Sequence, residues 1–149
     1  ALTPTMLLLK SIPGVGDILA IVIERELGTI ERFPSAAQLA SYSGTTPRVS
    51  SSGGKSRYGR MRTESNQYLK WAFMEAANSI CLNQRHYPER HGTKLYKKIK
   101  ARKDHPKAIG AVARHLAEAA YHVWAKEAEY RDPSLNQVLS TGGVSARSS

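Results

Sequence analysis

The sequence is poor in the residues that would cross-link a small fold or carry it across a membrane. Cys81 is its only cysteine among 149 residues, so no internal disulfide can form and nothing indicates an oxidising compartment. The longest apolar run, Ile18 to Ile23, is much shorter than the roughly 18 residues of a membrane-spanning helix. The early apolar run Met6 to Leu9 lacks the features of a secretory signal. We therefore exclude a membrane-spanning or disulfide-stabilised protein.

Acidic residues are also scarce, aspartate above all. The chain has three aspartates, which are widely separated: Asp17, Asp104 and Asp132. A pair of catalytic Mg²⁺ ions needs several convergent carboxylates, so no nuclease metal centre is expected in this chain. One helix-like spacing of i, i+3 and i+7 joins His115, Glu118 and His122. Structural or solvent-exposed histidines are more common than metal ligands at such positions, and we expect no metal site here.

Positive charge is abundant and unevenly distributed. Lys and Arg number 22 against 12 Asp and Glu, a formal net charge of +10. Residues 48–70 contain six basic residues and one acidic residue, and residues 85–107 contain nine and two. The remainder of the chain is slightly acidic. Each basic run alone could be a solvated helix face. Two runs in a small domain instead favour a surface that binds the phosphates of nucleic acid.

The spacing of apolar residues predicts an all-α fold, a compact helical domain over residues 1–131 with a flexible tail over 132–149. Helices are expected over 7–10, 17–27, 35–44, 66–82, 93–102 and 106–128. Cys81 lies on the apolar stripe of the fourth helix and is expected to be buried and inert, and Trp124 to be buried in the last helix. Residues 45–64 have no helical period and are rich in Ser, Gly and Arg. We expect a long loop or a short hairpin there, and loops of that length are commonly functional.

The segment Ile12-Pro13-Gly14-Val15-Gly16, followed by an apolar helix, is typical of the turn of a helix-hairpin-helix element. Its glycines allow a tight turn and a close approach of the backbone to phosphate. The first amides of the following helix point outward with the helix dipole behind them. We expect Gly14, Val15 and Gly16 to contact the DNA backbone without reading sequence. The alternative is a turn between helices that touches no ligand.

A second set of residues lies in the serine-rich loop, Ser50 to Arg57. A serine hydroxyl attacks phosphate only if its proton is removed and the developing negative charge is stabilised. Basic neighbours could stabilise that charge and hold DNA: Arg48, Lys55, Arg57, Arg60 and Arg62. Composition alone favours a flexible phosphate-binding loop without chemistry. No serine lies in a G-x-S-x-G turn, so an acyl-transfer triad is not expected.

Taken in order, these motifs resemble a known family. The matching segments are Ile12 to Gly16, Glu26-Leu27-Gly28, Phe33-Pro34-Ser35, Leu39 to Gly44, Thr46-Pro47, Ser52-Gly53, Asn66 and Leu69. Together with the alanine-rich last helix, they resemble the C-terminal domain of the insertion-sequence family 110/116/902 transposases over about residues 10–128. The ordered set is far more specific than either motif alone.

The resemblance implies that the metal ions and the nucleophile of the full protein are held by two different domains. In that family a separate N-terminal ribonuclease-H-like domain holds Mg²⁺ on acidic residues, and no cofactor is expected in the domain seen here. The C-terminal domain supplies a serine that attacks DNA and forms a phosphoserine link, and Ser52 matches its position. Ser50 and Ser51 are neighbours that could be confused with it. A structured guide RNA and a homo-oligomer are further implied partners.

The chain departs from the family pattern before the fourth helix, where Thr63-Glu64-Ser65-Asn66 replaces the usual Lys-x-Gly-Asn. Lys70 stands where arginine is usual, which keeps the charge but loses the two-pronged grip on phosphate. The missing initiator Met and acidic domain suggest a piece of a longer protein, inactive as a recombinase in isolation. We expect a cytoplasmic, nucleoid-associated bacterial transposase domain. The alternatives are a non-catalytic helix-hairpin-helix module that binds DNA or RNA, and a protein-interaction domain.

Overall fold

A computed structural model describes residues 2–45 and 66–133 of the chain. The predicted serine-rich loop and tail lie largely outside these residues, as do six predicted site residues: Arg48, Ser52, Lys55, Arg57, Arg60 and Arg62. The described part contains six α-helices and no β-strand, which confirms the all-α class. They are α1 (Pro4–Leu9), α2 (Asp17–Leu27), α3 (Ala36–Tyr42), α4 (Gln67–Leu82), α5 (His91–Arg102) and α6 (His105–Lys126), with a 3₁₀ turn at Ile30–Arg32.

Side-chain caps explain why the predicted helix starts lie close to the observed ones. Ser35 accepts a hydrogen bond from the Gln38 N–H at the start of α3. The Asp104 carboxylate accepts from the Lys107 N–H (3.0 Å) at the start of α6, where a proline occupies the first turn. These short polar side chains satisfy N–H groups that have no acceptor within the helix. Such helix ends are local, and the sequence alone predicts them.

The start of α1 lies earlier in the chain than the sequence analysis predicts. The predicted helix begins at Leu7, whereas α1 begins at Pro4. The Thr3 hydroxyl accepts a hydrogen bond from the Met6 N–H (3.1 Å), and Pro4 occupies the first helical position. A threonine followed by proline is a common helix start, because proline needs no N–H partner there. That signal is present in the sequence and would have given the correct start.

The core is built around α6, which packs against α1, α3, α4 and α5. Alanines on its inner face allow the neighbouring helices to approach closely. The apolar stripe of α4 packs against it and is fully buried: Leu69, Ala72, Phe73, Ala76, Ala77 and Ile80. Cys81 and Trp124 pack against this core but are only partly buried, which corrects the expectation of full burial. None of the helices among the described residues has the length and apolar character needed to cross a membrane.

The segment after α6 turns back and ties three parts of the fold together. The Tyr130 N–H donates to the Ser11 hydroxyl oxygen (2.8 Å), next to the end of α1. The Tyr130 hydroxyl donates to Asp132 (2.9 Å), and Asp132 accepts the first N–H of α5, from His91 (3.0 Å). The hydroxyl has one proton, so the His115 Nε2–H must donate to Tyr130 (3.0 Å). Residues 130–132 are therefore bonded into the helical domain.

Burial in this hydrogen-bonded group changes how its members titrate. Burial, with a smaller contribution from the nearby His91 ring, lowers the pKa of His115 to about 4. Burial and the neighbouring Asp132 carboxylate raise the pKa of Tyr130 above its usual value. Both side chains are consequently neutral at physiological pH. His115 has a structural partner, in line with the structural role that the sequence favours for it.

Candidate nucleic-acid interface

The turn between α1 and α2 depends on Gly14 for two reasons. Gly14 has φ +87°, a conformation that residues with a Cβ rarely adopt. A Cβ built on Gly14 would lie 2.5 Å from the backbone oxygen of Ala76 in α4. The turn therefore lies directly against the backbone of α4. Gly14 has a packing role that the sequence did not reveal, and its contact with DNA remains a prediction.

Gly16 differs from Gly14 both in its backbone conformation and in the space available for a Cβ. It precedes α2 with an extended backbone, φ −101° and ψ −166°, and no side chain caps the helix. A Cβ built on Gly16 would meet no atom within 4 Å. In an α-helix the first N–H groups have no acceptor within the helix. The start of α2 thus exposes backbone donors at the positive end of the helix dipole, the arrangement that binds phosphate in many proteins.

Val15 supports this turn from the inside. Its side chain is 6% exposed and belongs to the core. Its N–H donates to the Ile12 carbonyl (3.1 Å), which closes the turn. The DNA contact predicted for Val15 therefore finds neither an exposed side chain nor an unused N–H group.

Lys10 and Asp17 flank the same turn and were not among the predicted site residues. The Lys10 ammonium and the Asp17 carboxylate lie 2.6 Å apart, and both side chains are exposed. A carboxylate in the first turn of α2 interacts favourably with the helix dipole but opposes an incoming phosphate. Lys10 offsets that charge and places a cation beside the turn. The position of Lys10, just before the Ile12-Pro13-Gly14 motif, is the signal that could have identified it.

Asn66 joins three helices where the described chain resumes after residue 45. Its backbone N–H donates to the carbonyl of Tyr42 at the end of α3 (2.7 Å). Its side-chain NH₂ donates to Glu26 near the end of α2 (2.9 Å). Its side-chain oxygen caps α4 by accepting from the N–H groups of Tyr68 and Leu69 (both 2.9 Å). Asn66 consequently lies against Tyr42, at a place fixed by three helices.

Arg32 and Tyr42 line this junction. The Arg32 guanidinium lies 5.1 Å from the centre of the Tyr42 ring and donates to the Leu27 carbonyl (2.8 Å). A hydrogen bond with Asn66 and a second with Arg32 lower the pKa of the Tyr42 hydroxyl. The junction is therefore a polar, partly basic surface that packing holds in place.

Lys70 lies one helical turn beyond Asn66 and is exposed. Its backbone N–H donates to the Asn66 carbonyl (3.0 Å), and its ammonium forms no ion pair with any residue in the described ranges. A cation is thus available beside the junction. Lys70 lies one turn along α4 from the point at which the described chain resumes.

The glycine turn and the junction lie at opposite ends of the same antiparallel helix pair. Gly14 contacts Ala76 at one end of α2, and Glu26 bonds to Asn66 at the other. The helical rise from Gly16 to Glu26 is about 15 Å at 1.5 Å per residue. The two parts of the predicted interface are therefore separated by about the length of a few nucleotides along a DNA strand.

The described residues contain no group of three or more His, Cys, Asp or Glu side chains placed to hold a metal ion. His115, one of the residues considered for such a site, bonds to Tyr130 instead. No ligand set for Mg²⁺ can be assigned within residues 2–45 and 66–133.

Comparison with known proteins gives three findings. Residues 6–92 match the transposase IS116/IS110/IS902 family, a stretch that covers more than half of the chain. A Pseudomonas aeruginosa protein described as a probable family 20 transposase is 28% identical over 79 residues. The match covers 51% of this chain and 23% of that relative, so the chain spans much less than the relative's full length. No solved structure matches the chain.

Proposed function

The chain belongs to the IS116/IS110/IS902 family of transposases, and from this premise we propose that it forms the DNA-binding, serine-bearing domain of an enzyme that recombines DNA. The observation that carries the proposal is the junction at Asn66. The junction holds Asn66, where the described chain resumes, against Tyr42 of α3 and beside Lys70, on the helix pair that also presents the open start of α2.

We expect the phosphate backbone of DNA to lie across the helix pair formed by α2 and α4. The N–H groups at the start of α2, together with Gly14 and Gly16, would hold one phosphate, and Val15 would support this turn from the core. Lys70 would hold another phosphate near the junction. The basic side chains of the serine-rich segment would add further contacts: Arg48, Lys55, Arg57, Arg60 and Arg62. Because these contacts go to phosphates, binding would be weakly sequence-dependent and would weaken as salt increases.

Ser52 is the proposed nucleophile. Its hydroxyl oxygen would attack a DNA phosphorus, forming a phosphoserine ester and breaking the bond to a deoxyribose oxygen. The serine proton would pass to a general base, and the leaving oxygen would take up a proton. Nearby arginines would stabilise the charge that develops on the phosphate. As the resemblance to the family implies, any Mg²⁺ would be held by a separate acidic domain of the full protein.

The partners and the cellular location of the whole protein are part of the same proposal and are based on the family. A guide RNA from the element would select the target, and a homo-oligomer would hold the recombining strands. The protein would work in the bacterial cytoplasm, associated with the nucleoid. The domain in isolation would bind DNA without recombining it.

The test replaces Ser52 by alanine in the full-length protein, with Ser50→Ala and Ser51→Ala as matched controls from the same segment. We expect Ser52→Ala to reduce strand exchange by roughly a thousandfold or more, as loss of a covalent nucleophile does. DNA affinity and both controls should remain near the wild-type value. Normal strand exchange by Ser52→Ala would refute the assignment of the nucleophile.

The second candidate is a non-catalytic module that only positions DNA or structured RNA, and the glycine turn ahead of α2 favours it. It predicts that Ser52→Ala retains full activity, whereas charge reversal at Arg57 and Arg60 abolishes binding. A protein-interaction domain would instead show no DNA affinity even at low salt, so a binding titration across salt concentrations separates these two alternatives.

A further inference from the structure

The Lys and Arg side chains of helix α5 have no acidic side chain among them. Its twelve residues include no Asp or Glu and five cations, and a further lysine, Lys103, follows directly. All five side chains are exposed: Lys94, Lys97, Lys98, Lys100 and Arg102. Four of them lie along one outward-facing stripe at helical spacings of three and four residues, and we call Lys94, Lys97, Lys98 and Arg102 the α5 surface.

The cations of the α5 surface are almost entirely without acidic partners. Lys94 lies 3.4 Å from Glu89, an exposed pair that screening by water weakens. Lys97, Lys98 and Arg102 form no ion pair with the residues described in the structure. The charge of this surface is therefore available to an outside partner.

A surface that served only solubility would mix charges of both signs. Helix α2 does so, with Asp17, Glu24 and Glu26 beside Arg25. In α5 the like charges of Lys94, Lys98 and Arg102 follow one another at i, i+4 and i+8, a spacing that destabilises a helix. A polyanion placed against the surface would remove that repulsion.

We propose that the α5 surface binds the phosphate backbone of duplex DNA. Single strands are held largely by stacking of bases on exposed aromatic rings. The only aromatic residue of α5, Tyr96, is 5% exposed and hydrogen-bonds to His105, so the surface offers no such ring. From Lys94 to Arg102 the surface extends about 12 Å along a rigid helix, comparable to the width of the major groove of DNA. It can therefore contact phosphates on both sides of a groove.

This contact lies on a different helix from the start of α2 and from Lys70, and it does not depend on Ser52. It deepens the proposed function by adding a second place on the described helices where the domain can hold a duplex. DNA bound there would be positioned by charge alone, with no reading of base sequence.

The experiment measures binding of the full chain to a fluorescent duplex of about 20 base pairs between 50 and 200 mM salt. The test variant is Lys97→Gln/Lys98→Gln, and Arg25→Gln/Lys126→Gln is the matched control, because it removes the same charge from exposed positions on α2 and α6. Circular dichroism checks that both variants keep their helical content. Lys97→Arg/Lys98→Arg tests whether charge alone is sufficient.

Each phosphate contact contributes about 0.9 to the magnitude of the slope of log affinity against log salt. The test variant lacks two lysines, so the magnitude of its slope should be smaller by about 1.8. Over this fourfold salt range, wild-type affinity should fall about twelvefold more than that of the test variant. The arginine variant should behave as wild type, and the control should keep most of the slope.

If the test variant and the control behave alike while wild type binds duplex DNA, the α5 surface is refuted and the proposed function stands. If the variant loses affinity only for duplex RNA of the same sequence, the assignment to DNA is wrong. If wild type fails to bind duplex DNA at 50 mM salt, the α5 surface and the DNA-binding role both fail.

Discussion

Replacing Gly14 by alanine should destabilise the domain through two separate physical effects. The first is backbone strain, since φ is +87° at this position. The second is a steric clash, since the new Cβ would lie 2.5 Å from the Ala76 backbone oxygen. That atom belongs to the middle of α4 and is held by the helix, so it cannot rotate away as the end of a side chain could. One of the two packed elements must move.

The two effects can be given magnitudes. A non-glycine residue in a sparsely populated backbone region costs about 1–3 kcal/mol. Forcing an extra carbon into a closely packed contact costs about 1–3 kcal/mol more. We therefore expect Gly14→Ala to lower the free energy of unfolding by about 2–6 kcal/mol, a large part of the stability of an ordinary domain. The midpoint of thermal unfolding should fall by about 10 °C.

The chain supplies two matched glycine controls. Gly28 has φ +76° but open space where a Cβ would lie, so Gly28→Ala should show the strain alone, about 1–3 kcal/mol. Gly16 has a negative φ and open space, so Gly16→Ala should change stability by less than about 1 kcal/mol. Urea and thermal unfolding followed by circular dichroism would measure all three. If Gly14→Ala is no less stable than Gly28→Ala, the close contact with Ala76 does not exist as described.

Two further predictions concern the junction and the buried histidine. Asn66→Ala should lower the free energy of unfolding by about 1–2 kcal/mol, because it removes the cap of α4 and the bond to Glu26; Asn66→Ser, which keeps a capping oxygen, should lose less in the same urea titration. Because the folded pKa of His115 is about 4, below its unfolded value of 6.5, the unfolded state binds more protons between these values. The free energy of unfolding should therefore fall by about 2 kcal/mol as pH drops from 8 to 5. In His115→Gln the free energy of unfolding should decline by about 2 kcal/mol less over the same range. Equal declines in the two proteins would contradict the burial of the ring.

Local signals in the sequence determined most of the helices. The observed bounds of α2 agree with those predicted from apolar spacing, and the starts of α3 and α4 follow from their capping residues, Ser35 and Asn66. Periodicity also identified the buried face of α4. These features depend on residues within one or two turns of each other, so the sequence contains all the information needed. The order of motifs likewise indicated the family that the comparison confirmed.

Contacts between residues far apart in the chain were decided only by the tertiary structure. The sequence marks Gly14 as a turn residue, but only the packing of α4 brings Ala76 against it. Nothing local indicates that Tyr130 would bond to Ser11, or that Asn66 would join the end of α2 to α4. Such contacts depend on how whole helices settle against one another, which is set by the combined shape of many side chains. For that reason the sequence specified the helices and the charge they carry, while helix packing decided which distant residues meet at the glycine turn and at the junction.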